Sequence, residues 1–106
     1  MEQREYVRRV LEAYCATPGT AGVVRRADRS FATQLHDRGV PLAAIENALT
    51  LAAARRSARP VDAAPLGTIR SLAYFGPVIE EVLQLKVAPE YFQHLRNKLR
   101  HSTPAR

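Results

Sequence analysis

The sequence contains one cysteine, Cys15, and no tryptophan. A single cysteine cannot form a disulfide within the chain, and it excludes a zinc site built from several cysteines. No apolar run approaches the roughly 20 residues that a membrane-spanning helix needs. The stretch at residues 1–9 is charged and helical in character, unlike a secretory signal. These absences predict a protein of the reducing cytoplasm that has no membrane partner.

Residues that build catalytic sites are scarce or badly spaced. The five glycines are scattered, so no loop is suited to cradle a phosphate, and no G-x-S-x-G motif occurs. The three histidines lack the HExxH spacing of a zinc site. Glu80 and Glu81 are adjacent, so on a helix they point to different faces and cannot work as a carboxylate pair. The sequence therefore predicts neither an enzyme nor a bound metal or other cofactor.

Positive charge is plentiful and unevenly distributed. The chain has 16 Lys and Arg residues against 10 Asp and Glu residues, a formal net charge of +6. Residues 1–50 carry a net charge of +1, whereas residues 51–106 carry +5. Fourteen of the cations are arginine, which binds phosphate in a bidentate manner, although a GC-rich genome also explains a chain rich in Arg and Ala. Charge polarised towards one half favours a polyanion-binding protein.

Apolar residues recur at three- and four-residue spacing, which predicts an all-α fold, a compact bundle of about five helices. Sustained alternation of apolar and polar residues, the pattern of strands, is absent. We expect one helical domain over residues 1–101 and a flexible C-terminal tail over residues 102–106. Four of the helices are predicted at residues 2–16, 22–37, 41–59 and 90–100.

The predicted second helix begins at Gly22 and carries Asp28 among the arginines of its outer faces. Gly39 ends it, in the position where glycine commonly follows a helix. Its expected core stripe is Val24, Ala27, Phe31 and Leu35.

The fourth predicted helix, Pro65–Leu83, follows a proline-containing linker. Pro77 removes a backbone donor and Gly76 loosens the same turn, so we expect a kink, or two short helices that meet there. Tyr74 and Phe75 are presented at this bend. Packing in the core explains both aromatic residues more simply than ligand stacking does, and stacking by Tyr74 is kept as an alternative.

The candidate nucleic-acid contacts are basic residues at the end of the third helix, on the fourth segment and on the last helix. From Tyr91 onward the chain has four Lys and Arg residues and no acid. Favourable interaction with helix dipoles, or a solvated basic face, explains the same residues without a ligand. The predicted contact residues are Arg55, Arg56, Arg59, Arg70, Tyr74, Arg96, Lys98 and Arg100.

Two stretches resemble the DnaD-like replication-initiation domains. The segment RGVPLAAIENALTLAAARR, from Arg38, is similar to a family segment in which glycine precedes a helix carrying Ile and then an Ala-Leu pair. The segment TIRSLAYFGPVIEEVL is similar to the next family helix, and Tyr74, Val78 and Val82 occupy its register of a tyrosine followed by aliphatic residues. Val82 stands where the family commonly has tryptophan. The chain also resembles small helical accessory proteins of mobile elements, and either resemblance implies a DNA-binding accessory module.

Our leading hypothesis is a small basic accessory protein of DNA replication or mobile-element processing that contacts the phosphate backbone without catalysis. The alternative is a helical protein-interaction subunit of a larger nucleoprotein complex, one that could contain RNA. Its contact surfaces would be the Glu80–Glu81 pair and the alanine-rich third helix. That helix would also allow a homo-oligomer.

Overall fold

Five α-helices and one short 3₁₀ turn are formed by residues 1–84 and 89–102, which the computed structural model describes. The predicted all-α bundle of about five helices is confirmed. Residues 103–106 of the predicted tail lie outside the described residues, and Ser102 is the last residue of the final helix. The elements are α1 (Gln3–Ala16), α2 (Arg26–Asp37), α3 (Leu42–Ser57), the 3₁₀ turn η1 (Leu72–Phe75), α4 (Gly76–Gln84) and α5 (Pro89–Ser102).

Helix α3 lies at the centre of the fold and contacts α1, α4 and α5. It is apolar on several sides because alanine fills many of its positions, and alanine is also the strongest helix former. Ala48, Ala52 and Ala53 are all buried. These three alanines therefore pack within the bundle, whereas Ala43 of the same helix is exposed and Ala54 is half-buried. Contact of this helix with a partner protein or a second copy stays a prediction.

The main core forms where α1, α2, α3 and η1 meet. The rings of Tyr14 and Phe75 pack edge-on, with centroids 6.1 Å apart, and both side chains are fully buried. Leu35, Ile45 and Leu72 are also fully buried here. The turn η1 is consequently part of the core, and it fixes the start of α4.

A smaller cluster attaches α5 to the rest of the bundle. Leu51 of α3 meets Phe92 and Leu95 of α5, and all three are buried. Val78 and Val82 of α4 pack against both this cluster and the main core. Helices α4 and α5 are thus both packed against α3.

Helix α2 begins at Arg26, later than the predicted start at Gly22. Gly22 has a φ of 73°, which is outside the helical region. Asp28 then caps the helix, because its Oδ2 accepts the backbone N–H of Arg25 at 2.9 Å. Asp28 is only 2% exposed, so the prediction of an outer-face position is wrong, and Ala27, predicted in the core, is exposed.

The predicted break near Gly76 and Pro77 is confirmed, since η1 and α4 meet at Gly76. The helical prediction for residues 65–71 is wrong, because that stretch is not helical. Directly after this stretch, the backbone N–H of Leu72 donates to Oδ1 of Asp28 at 2.9 Å. The same carboxylate therefore sets the starts of both α2 and η1.

Part of this non-helical stretch pairs with the loop between α1 and α2. The N–H of Ile69 donates to the carbonyl of Gly19 at 2.8 Å, and the N–H of Ala21 donates to the carbonyl of Ile69 at 2.9 Å. Ile69 is buried, with 2% of its surface exposed. Because successive side chains of an extended chain point in opposite directions, Arg70 points away from the core, and it is exposed.

The substitution Asp28→Ala should reduce the free energy of unfolding by about 3 kcal/mol, because it leaves two backbone N–H groups without their charged acceptor. Asp28→Asn should recover only part of this loss, since its amide turns a donor towards one of the two N–H groups. Urea unfolding followed by circular dichroism measures both. The exposed Asp62→Ala is the control, expected within about 0.5 kcal/mol of the unchanged protein. A loss no larger for Asp28→Ala than for Asp62→Ala would contradict the double-capping role.

Candidate nucleic-acid interface

Four of the predicted contact residues line one surface hollow at the C-terminal end of α3. The hollow has a volume of about 360 Å³ and lies between α3, the linker from α3 to η1 (residues 58–71) and the η1–α4 corner. Its apolar lining consists of Ala52, Leu66 and Val78. Its polar and aromatic lining consists of Arg55, Arg56, Arg59 and Tyr74.

The side chain of Arg56 is anchored between two loops. Its Nη2 donates to the carbonyl of Gly67 at 3.1 Å. A Cβ atom at Gly19 would lie 2.9 Å from Nε of Arg56, so a larger residue there would displace the guanidinium. Gly19 also has a φ of 91°, a conformation that suits glycine. Arg56 thus joins the α1–α2 loop to the linker.

Arg59 is held in a similar way, with its Nη2 donating to the carbonyl of Ala64 at 2.7 Å. The acceptors of Arg56 and Arg59 are both neutral, so neither guanidinium loses its net charge to its partner. Each also keeps further N–H donors, because a guanidinium has several. These two cations are therefore oriented and still able to bind an anion.

Arg55 differs, since it forms a bidentate ion pair with Glu81 of α4. Arg38 forms the equivalent pair with Glu80, at 2.7 and 3.1 Å. The adjacent glutamates do point to different faces, as predicted. They do not form a free acidic patch, however, because each is bound to an arginine of another segment. The contact surface that the sequence suggested at Glu80–Glu81 is therefore taken up within the chain.

The remaining predicted contacts are distributed over several faces. Lys98 lies opposite Arg55 in a second groove, between α3 and α5, with a volume of about 720 Å³. Arg96 hydrogen-bonds to Oδ1 of Asn47 and lines a different groove, which reaches α1. Arg100 is exposed on α5. Lys98 therefore extends the surface of the hollow, whereas Arg96 does not.

The backbone segment that contains Arg70 is hydrogen-bonded to the segment that contains Arg25 and Arg26, two arginines that were not among the predicted contacts. The carbonyl of Ile69, which precedes Arg70, accepts the N–H of Ala21. The N–H of Leu72, two residues after Arg70, donates to the carboxylate of Asp28. Arg25 and Arg26, both exposed, lie in the short segment between those two partners. We call the surface that runs from the end of α3 over the linker to the start of α2 the arginine band. Its members are Arg59, Arg56, Arg70, Arg25 and Arg26.

Two acids, Asp28 and Asp62, occur in the segments that carry the arginine band, residues 19–29 and 56–72. Asp28 is buried and accepts two backbone N–H groups. Asp62 is exposed in the linker. These two segments therefore expose more cations than carboxylates. Sequence reasoning missed Arg25 and Arg26 because they lie in the nearly neutral half of the chain.

The two aromatic residues of the bend have different environments. Phe75 is fully buried, whereas Tyr74 is 50% exposed at the rim of the hollow. Their rings contact edge-on, with centroids 5.2 Å apart, so the core residue holds the exposed ring in place. The expectation that core packing explains both aromatics is correct for Phe75 alone.

Among residues 1–84 and 89–102, no group of three His, Cys, Asp or Glu side chains lies close enough to hold a metal ion. Within the same ranges, the helices are all too short or too polar to cross a membrane.

His36 packs edge-on against Tyr6, with ring centroids 5.0 Å apart, and Tyr6 donates its hydroxyl hydrogen to the carbonyl of Val40 at 2.8 Å. Burial raises the pKa of Tyr6 to about 12.

No protein-family model, curated protein or solved structure matches this chain. The resemblance to DnaD-like domains therefore stays a prediction. In the register that carries it, Tyr74 is exposed, and Val78 and Val82 are half-buried against both core clusters.

The ion pairs of α4 should make stability depend on pH on the acid side. Hydrogen bonding to Arg38 lowers the pKa of Glu80, and hydrogen bonding to Arg55 lowers the pKa of Glu81. A lowered pKa in the folded state contributes stability that is present at neutral pH and lost as the pH falls through the folded value. The double variant Glu80→Gln/Glu81→Gln should therefore lose less stability than the unchanged protein between about pH 7 and about pH 3. Urea midpoints at several pH values measure this difference.

The matched control is Glu46→Gln/Asp62→Asn, which also removes two carboxylates but at exposed positions outside these pairs. It should follow the acid profile of the unchanged protein. If both double variants flattened the profile equally, the pairs with Arg38 and Arg55 would not be its cause.

Proposed function

We propose that this protein is a nucleic-acid-binding accessory protein that grips the phosphate backbone without catalysis. The assignment to DNA, and to DNA replication or mobile-element processing, rests on the resemblance of the segments around Arg38 and Tyr74 to DnaD-like domains. The physical part of the proposal rests on the arginine band and the hollow beside it.

The observation that carries the proposal is the pairing of Arg56 and Arg59 with main-chain carbonyls. A cation held by a neutral acceptor keeps its charge, and part of the entropy cost of fixing its side chain is already met by the fold. Phosphate can then be bound by the remaining N–H donors in the bidentate geometry that guanidinium favours. Tyr74, at the rim of the same hollow, offers a half-exposed ring to a base.

The double variant Arg59→Ala/Arg70→Ala should weaken DNA binding and make it less sensitive to salt. Each phosphate contact that is lost should reduce the slope of log affinity against log salt concentration by about 0.7 to 0.9. Fluorescence anisotropy with labelled single-stranded and double-stranded DNA, titrated with salt, measures both effects. Absence of binding to either DNA at low salt would remove the proposed function altogether.

The control is Arg8→Ala/Arg9→Ala, which removes the same charge from α1. Arg8 is bound to Glu5 and Glu12, and Arg9 lies 3.7 Å from Glu5, so both are already paired with carboxylates. Affinity and salt slope should stay close to those of the unchanged protein. Equal losses for the two double variants would mean that net charge, and not the arginine band, governs binding.

Replacing Tyr74 should affect single strands more than duplexes, because only unpaired bases can leave the stack to lie on its ring. Tyr74→Ala should weaken binding to single-stranded DNA about tenfold, with a smaller effect on the duplex. Tyr74→Phe keeps the ring and should keep the affinity. The same anisotropy titrations report on this, and an unchanged single-strand affinity for Tyr74→Ala would exclude stacking at this position.

A further inference from the structure

A further surface groove lies between α1 and α2, and none of the predicted nucleic-acid contacts lines it. Its volume is about 590 Å³. We call it the α1–α2 groove. Its lining residues are Arg4, Val7, Arg8, Leu11, Glu12, Cys15, Val24 and Arg29.

The floor of the α1–α2 groove is apolar. Leu11 is 5% exposed, and Val7, Cys15 and Val24 are half-buried against the main core. The floor residues of α1, at positions 7, 11 and 15, are spaced four residues apart and form a continuous stripe along the helix.

The rim of the groove carries both an arginine that is paired with carboxylates and arginines that are not. Arg8 donates to Glu5 and to Glu12, so its charge is already compensated. Arg4 and Arg29 have no carboxylate partner within the described part of the chain. The groove therefore combines an apolar floor with two uncompensated guanidinium groups.

We propose that the α1–α2 groove binds an acidic amphipathic helix of a partner protein. Apolar side chains of such a helix, at positions i, i+3, i+4 and i+7, would cover the floor, and flanking Glu or Asp residues would pair with Arg4 and Arg29. An open groove between two packed helices is the shape that a third helix fills in ridge-and-groove packing. Charge complementarity selects an acidic helix over a basic one.

Nucleic acid fits this groove poorly. No aromatic side chain lines it, so bases would have no ring on which to stack. The groove shares no lining residue with the arginine band, so this proposal does not depend on the proposed function.

A pair of model peptides tests the proposal on the full chain. One is a helical peptide of about 18 residues, roughly five turns, with a Leu stripe flanked by Glu, and its twin has Lys in place of every Glu. The Glu peptide should bind in fluorescence anisotropy and should slow the reaction of Cys15, the only cysteine, with a thiol reagent. The Lys peptide should do neither. Failure of the Glu peptide to bind, or equal binding of the two peptides, would overturn the proposal.

Charge reversal localises the binding. The variant Arg4→Glu/Arg29→Glu should bind the Glu peptide about tenfold or more weakly than the unchanged protein does. The same variant should bind the Lys peptide instead. Both positions lie in the first turn of a helix, where an acid is favourable, so the variant should fold, and circular dichroism checks this. The control Arg59→Glu/Arg70→Glu makes the same change in net charge on the arginine band and should leave peptide binding unchanged.

Single-stranded DNA supplies the remaining comparison. At DNA concentrations that saturate the binding followed by anisotropy, the rate at which Cys15 reacts with the thiol reagent should stay unchanged. If DNA protected Cys15 as well as the Glu peptide does, the groove would be a nucleic-acid site and the proposal of a protein helix would be overturned. If DNA did not bind at all while the Glu peptide did, the proposed function would fail and the groove would stand.

Discussion

The buried carboxylate of Asp28 is the interaction on which the arrangement of this fold depends. Its two oxygens accept N–H groups from Arg25 and Leu72, which are far apart in sequence and begin two different helical elements. A buried charge without such donors is costly, so neither contact can be given up separately. By fixing both starts, Asp28 fixes the path of the chain between Ile69 and Leu72, and with it the position of the exposed Arg70 beside the start of α2.

The arginines of this chain serve two purposes, and the acceptor decides which one. Arg38 and Arg55 are bound to carboxylates of α4, so they hold that helix in place and their charge is largely cancelled. Arg56 and Arg59 are bound to carbonyls, so they hold the linker in place while their charge stays available. The formal net charge of +6 is therefore a poor guide to where an anion can bind. The neutral or anionic character of each acceptor is the better guide.

The sequence predicted the parts of the fold that depend on local periodicity. The bundle, the break before α4 and the divergent directions of Glu80 and Glu81 all follow from helical geometry. The burial of Asp28 and the pairing of Ile69 with the α1–α2 loop did not follow, because both depend on partners that are distant in sequence. For the same reason, the sequence selected Arg55, Arg56, Arg59 and Tyr74 by residue type alone and could not predict that they line one hollow. It offered no reason to add Arg25 and Arg26.

The anchoring of Arg56 and Arg59 does not compete with anion binding. Each guanidinium has one Nη2 bond to a carbonyl, and its other N–H groups point in fixed directions because the group is planar. A phosphate that approaches from solvent would therefore meet donors already oriented and would not have to break the contacts that hold the linker. In the ion pair of Arg55 with Glu81, by contrast, both Nη atoms face the carboxylate, and a phosphate would have to displace it. The fold thus separates cations that can accept a ligand at little structural cost from cations that cannot.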